Sequence, residues 1–189
     1  MQPLPNPQPE LTTERLLLRA LREEDAPSLA RTANDHNIAK YLSSMPHPYT
    51  LEDAKEFVIS RAKAYAEGDA AEFAIFEKGS EAFVGMIGLD LNAKDNHATA
   101  GYWLGKTFWG KGYATEALRE IIRFGFERLG LHRIASHHFH NNPASGKVMQ
   151  KAGMKQEGRR VEHFYKEGEY LDILDYGLLA REWMRTHAS

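Results

Sequence analysis

The chain has no cysteine, and that absence removes disulfides, zinc–thiolate sites and a cysteine nucleophile at one stroke. It is also consistent with a reducing compartment. No apolar run approaches the roughly 18 residues that a membrane-spanning helix requires. Neither charge dominates: 24 Lys and Arg oppose 26 Asp and Glu, a formal net charge of −2 that supplies no global attraction to nucleic acid or to an anionic membrane. The opening "MQPLPNPQPE" carries neither the basic nor the apolar region of a secretory leader, so the expectation is a soluble, cytoplasmic protein.

What is present suits one domain, since 189 residues, 42% of them hydrophobic, are enough to bury a sizeable core. Pro3, Pro5, Pro7 and Pro9 deny the start a helix, so residues 1–10 read as an extended or disordered tail and residues 11–189 as the domain. Arg15 to Leu21 predicts a strand. Two helices follow, the second opened by Thr50 with Asp53 three residues on and closed by Gly68. "EFAIFEK" and "AFVGMIGLDL" read as a hairpin, and "HATAGYWLGK" as a further strand whose Gly101 suggests a bulge or a close neighbour. Ala117, Leu118, Ile121, Ile122, Gly125 and Leu129 keep helical spacing. "RIASHHFH" is the next strand, then a helix with Asn142 as N-cap and Pro143 in its first turn, then two strands around Glu167 and Gly168. This order predicts a mixed α/β fold, a sheet of about seven strands flanked by helices.

Within that frame, "FWGKGYATEAL" places two glycines directly before a helix start. Glycine in an element costs roughly 0.5–1 kcal/mol against alanine, and a helix start offers free N–H groups and partial positive charge, so the stretch is a candidate phosphate cradle. The alternative is a plain strand-to-helix turn. A Walker loop fails at Gly112, which replaces the hydroxyl residue that would hold magnesium. A dinucleotide fingerprint fails at Thr115, which stands at its third glycine position.

Four segments in order, "TERLLLR", "GYWLGKTFWGKGYATEAL", "NNPASGKVMQKAGMKQEG" and "HFYKEGEYLDILDYGLLAREW", resemble the GNAT superfamily of acetyl-CoA-dependent N-acetyltransferases. Within it they resemble the RimJ and RimL branch, which acetylates ribosomal-protein N-termini. The resemblance implies a mostly antiparallel sheet splayed between its fourth and fifth strands, with acetyl-CoA as co-substrate. It implies that the backbone of Trp109, Gly110, Lys111, Gly112, Tyr113, Ala114 and Thr115 wraps the coenzyme A pyrophosphate. Main-chain groups of Tyr102, Trp103 and Leu104 would pair with pantetheine, Asn142 would hold that arm, and Ser145 would stabilise the leaving thiolate. The residue-level alternatives are core packing for Tyr102 to Leu104, a helix cap for Asn142, an ordinary first-turn serine for Ser145 and a solvated Lys111. Glu116 reads as a complement to the helix dipole.

Acetyl transfer to an amine needs a neutral amine, an oxyanion donor and a proton for the departing thiolate. Thr99 and Phe164 stand where the branch often carries glutamate, which leaves Glu162 and His163 as candidate bases. A terminal α-amine, with a pKa of about 8, is partly neutral at pH 7, whereas a lysine at about 10.4 is not, and this favours an N-terminal acceptor. The rivals are a small-molecule acetyltransferase for an antibiotic, polyamine or amino acid, and a non-catalytic acyl-CoA sensor. His137 points opposite to His138 and His140 on a strand, so no metal is expected, and Asp172 and Asp175 fall on opposite faces. Exposed strand edges leave room for a homodimer; no nucleic-acid or membrane partner is expected.

Overall fold

The structure is a computed structural model and describes residues 1–187. It is organised by one eight-stranded sheet in the order β1-β2-β3-β4-β5-β6-β8-β7. The first strands are β1 (Leu11–Thr12) and β2 (Leu16–Arg19), and after the helices come β3 (Ala70–Glu77), β4 (Phe83–Asn92) and β5 (His97–Leu104). The remaining strands are β6 (Arg133–Phe139), β7 (Lys155–Lys166) and β8 (Glu169–Leu179). All neighbours are antiparallel except β5 and β6, which run parallel. The expected count of about seven strands falls short by β1, a two-residue strand too brief to show a period in sequence.

Helices cover both faces. On one lie α1 (Ala26–Ala33), the one-turn α2 (His36–Ala39) and α3 (Leu51–Glu67); on the other lie α4 (Tyr113–Arg123) and α5 (Pro143–Lys151), with α6 (Ala180–His187) closing the chain. Thr50 and Asp53 form the expected capping box on α3, and Gly68 ends it at φ 82°. The sequence reading missed α2 and α6. The helix expected to run on to Leu129 leaves α geometry after Arg123 and finishes as a π turn, Phe124–Arg128. Leu118, Ile121 and Ile122 of α4 are fully buried against Phe73, Ile87 and Leu89 of the sheet, each such side chain contributing roughly 1.5–3 kcal/mol. Ala74 and Met86 face the other way, onto Leu29, Ala54 and Val58.

The N-terminal tail has no helix or strand, yet it is tied down: Gln2 N–H donates to Leu129 O at 2.7 Å, and the Tyr65 hydroxyl donates to Pro5 O at 2.5 Å. Among the described residues, no helix is long and apolar enough to cross a membrane.

The feature that positions the site is a split in the sheet. β5 and β6 pair only where His97, Ala98 and Thr99 meet Arg133, Ile134 and Ala135. Ser136 Oγ then donates to Ala100 O at 2.8 Å, and beyond it the strands part. Each stays with its outer neighbour, β5 with β4 as far as Leu104 and β6 with β8 as far as Phe139. The ladder between β4 and β5 passes through Gly101 with no register shift, so Gly101 makes no bulge there, contrary to one of its sequence readings. It is instead an exposed position without a side chain at the point where the parallel pairing has ended.

Candidate active site

A cavity of about 960 Å³ runs through the split and reaches both faces of the sheet. That size is at the upper end of ordinary small-molecule sites, which span about 300–1,000 Å³. Tyr102, Ser145, Val148 and Met149 line it on the α4/α5 side, and Glu72, Asp90, Thr99, Gly101 and Trp103 line it on the α1/α3 side. Its outer rim on the second side includes Tyr41 to Ser44, a segment tied to the β7–β8 hairpin by Lys166 Nζ, which donates to Leu42 O at 2.7 Å.

At the α4 end the backbone is built for close approach. Gly110 and Gly112 have φ of 74° and 84°, a region that side-chain-bearing residues seldom occupy. Gly112 is the N-cap of α4 and supplies no side-chain cap, which leaves the first-turn N–H groups without a side-chain partner beside the cavity that Tyr113, Ala114 and Thr115 line. A Cβ on Gly110 would meet nothing within 4 Å, and one on Gly112 only Arg15 Nη2 at 3.4 Å. Trp109, 44% exposed, folds back and donates its indole N–H to Leu104 O at 2.7 Å. Lys111 is exposed, with its Nζ 5.4 Å from the Phe108 ring centroid, and it does not line the cavity.

Glu116 does more than face the helix dipole. It accepts from Thr13 Oγ1 at 2.5 Å, Arg15 N–H at 2.8 Å and Arg15 Nε at 2.7 Å, which latches α4 to the start of β2. Burial opposes its ionisation, but these donors outweigh burial and hold its carboxyl below the ordinary range.

At the middle of the cavity, Asn142 caps α5 by accepting the Ser145 N–H at 3.4 Å. Ser145 Oγ lies 2.8 Å from Tyr102 Oη, and the same phenol lies within donating distance, 3.1 Å, of Ser145 O. Burial drives the Tyr102 phenol well above its ordinary pKa, against a smaller opposing effect of the Ser145 bond, so it stays neutral. The Tyr102 side chain was not singled out in sequence, where only its backbone carried a role. His138 is buried against Tyr176 at 5.5 Å between centroids, with Nδ1 2.8 Å from Phe139 O.

The two candidate bases are not brought to the cavity. The β7–β8 register shifts between Arg160 and Phe164, and this bulge turns Glu162 and His163 outward. Glu162 adopts φ 48° and donates its N–H to Asp172 Oδ1 at 2.7 Å, while His163 Nε2 sits 2.8 Å from Arg160 Nη1. Phe164 packs on Phe139, with centroids 5.0 Å apart. Asp172 and Asp175 pair separately, with Arg159 and Arg160, as opposite faces require. His137 is exposed and His138 buried, and among the described residues no group of three His, Cys, Asp or Glu comes together.

The carboxylate that does line the cavity is Glu72, paired through Oε1 with Arg61 at 3.3 Å, with Asp90 beside it. Sequence reading missed both, because only strand register brings them to the split.

A passage open on both faces of a sheet, with a phosphate-ready helix start on one side and carboxylates on the other, suits a transferase whose two substrates meet between parted strands. The chain belongs to the GNAT acetyltransferase family: the family model described as "Acetyltransferase (GNAT) domain" matches residues 15–155. It is therefore an N-acetyltransferase, moving an acetyl group to an amine. It is 33% identical over 174 residues to the putative ribosomal N-acetyltransferase YdaF of Bacillus subtilis, a match covering 90% of this chain and 94% of that one. A GNAT-family acetyltransferase structure from Bacillus anthracis superposes with a TM-score of 0.81 at 26% identity, covering 92% of this chain and 99% of that one. A structure of RimL in complex with coenzyme A shares the fold, with a TM-score of 0.84 at 21% identity over 90% of this chain and 98% of that one.

Proposed function

We propose that this chain transfers the acetyl group of acetyl-CoA to an N-terminal α-amine of a protein or peptide. The observation that carries the reading is the passage itself, which offers a helix start to a pyrophosphate on one face and a separate opening to an amine on the other. The residues present fit the coenzyme: two glycines at positive φ keep side chains clear of the helix start, and a neutral hydroxyl pair lines the same cavity. The name of RimL's ligand and the ribosomal name of YdaF point the same way.

When bound, acetyl-CoA supplies a thioester carbonyl that an amine attacks directly, expelling a thiolate. The backbone N–H groups of Trp109 to Thr115 hold the pyrophosphate charge at the positive end of α4. Beyond Thr99, β5 is no longer paired to β6, so main-chain groups of Tyr102 to Leu104 that face the split would meet the pantetheine arm and the thioester oxygen, with Leu104 O already accepting the Trp109 indole N–H. Asn142 orders the first turn of α5 and so fixes Ser145. Ser145 donates to the departing sulfur, and Tyr102 holds the serine hydroxyl in place for that task. No acyl-enzyme is needed, since direct attack requires only that both substrates be held in the gap.

A thiol-release assay with acetyl-CoA against N-terminal peptides, polyamines, amino acids and aminoglycosides tests the acceptor class. Turnover confined to peptides with a free α-amine supports the reading. Turnover on a polyamine or aminoglycoside alone replaces it with a small-molecule enzyme, and binding without turnover across the panel replaces it with a sensor.

A further inference from the structure

On the α1/α3 face, one carboxylate oxygen has nothing to bond with. Glu72 Oε1 meets Arg61, but Oε2 is buried without a hydrogen-bond partner, a state that is costly unless a ligand or solvent meets the oxygen. The register shows what it faces. Glu72 on β3 stands opposite Gly88 on β4, and Gly88 stands opposite Gly101 on β5, so the three form one row across the sheet. Neither glycine carries a side chain to block that row. The Glu72 Cγ lies only 2.4 Å from where a Gly88 Cβ would be, so the acidic side chain lies over Gly88 toward Gly101. A Cβ on Gly101 would meet nothing within 4 Å, and Glu72 and Gly101 line the same cavity. Strands lie about 4.8 Å apart, so Glu72 and Gly101 are about 10 Å apart along the sheet, a span that one glutamate side chain and one bound amine fill.

The charged and titratable groups around it are Arg61 of α3, Asp90 of β4 and Tyr49, whose buried phenol is pushed up to about 12 and stays neutral. Two carboxylates against one guanidinium leave this end of the cavity net negative.

We propose that Glu72 receives the ammonium of the acceptor and takes its proton before the attack, an inference that rests on the acyltransferase reading above. The N–H bond breaks, its electron pair remains on nitrogen, and the proton passes to Glu72 Oε2 directly or through water. The amine then attacks, the carbon–sulfur bond breaks, and a second proton from nitrogen ends on sulfur by way of Ser145. Glu72 returns its proton to solvent, so the sum is ammonium plus thioester giving amide, thiol and one proton. Burial lifts the Glu72 carboxyl above its ordinary range, Arg61 opposes the shift and Asp90 adds to it, which suits a proton acceptor working near neutral pH.

The test is Glu72→Gln, with Glu72→Asp beside it, in thiol-release kinetics across pH together with calorimetric binding of acetyl-CoA. The expected result for Glu72→Gln is a fall of about 100-fold or more in kcat/KM for the amine, the scale of a lost general base. Acetyl-CoA affinity is unchanged, the acid limb of the wild-type pH profile disappears, and Glu72→Asp keeps that limb at reduced rate. Wild-type rate and pH profile in Glu72→Gln overturn the proposal alone, as does an acetyl-CoA affinity that falls in step with the rate. A wild-type protein that acetylates no amine at all overturns the acyltransferase reading and this inference with it.

Discussion

The phenolic oxygen of Tyr102 lies 2.8 Å from the hydroxyl oxygen of Ser145, bridging β5 and the first turn of α5. The two residues are 43 positions apart and come from elements that the split sheet alone brings together. The contact holds the serine hydroxyl against the phenol in the lining of the cavity, and burial drives the phenol's pKa upward.

Ser145→Ala removes the proposed donor to the leaving sulfur while leaving the Asn142 cap and the glycine loop intact. A hydrogen bond to a charged group contributes about 1.5–3 kcal/mol, so turnover falls about 10- to 100-fold. Acetyl-CoA affinity stays within about twofold, because the interaction strengthens only as charge develops on sulfur. Tyr102→Phe gives a smaller fall, since the serine survives but is no longer held. Thiol-release kinetics and calorimetry on both variants check this pair.

Gly88 and Gly101 neighbour each other yet answer substitution in opposite ways. A Cβ on Gly88 would lie 2.4 Å from Glu72 Cγ, 2.9 Å from Glu72 Cα and 3.0 Å from Ala71 O, so Gly88→Ala destabilises by about 1–3 kcal/mol. Gly101→Val meets open space, and the fold tolerates it. It instead narrows the amine side of the cavity and raises KM for the acceptor, with acetyl-CoA binding retained. Thermal melts separate the first effect from the second.

The Glu116 latch carries a pH signature. Its carboxyl is held below the ordinary range, so its stabilising contribution is present above the unfolded-state pKa of about 4.3 and is lost as pH falls through the lower folded value. Glu116→Ala strands the Thr13 and Arg15 donors and costs about 1–3 kcal/mol near neutral pH, or about 2–12 °C in Tm for a chain of this size. Melting curves of wild type and Glu116→Gln should therefore converge as the solution is acidified below the usual carboxylate range.

The units proposed for the coenzyme side are local in sequence, and their local structure was legible for that reason. The strand "GYWLG", the glycines at 110 and 112 and the Asn142-to-Ser145 spacing each lie within one strand, turn or cap, and chain chemistry alone specifies such units. The acceptor side was not legible. Glu72, Gly88 and Gly101 are separate residues that only the register of three strands aligns, and no periodicity marks such a row. Glu162 and His163 misled for the complementary reason: regular alternation along β7 would have turned one of them inward, but the bulge between Arg160 and Phe164 breaks the alternation. Nothing in the sequence marks the Tyr102 phenol, since its partner Ser145 lies 43 positions away on another element.

If the glycine-turned start of α4 holds coenzyme A, calorimetric titration of acetyl-CoA into wild type and Gly112→Asp will separate the two proteins. One acetyl-CoA is expected to bind per wild-type chain, with no measurable binding to the variant, whose carboxylate would stand against the pyrophosphate. Equal affinity in the two proteins, with the variant folded by its melting curve, would contradict it.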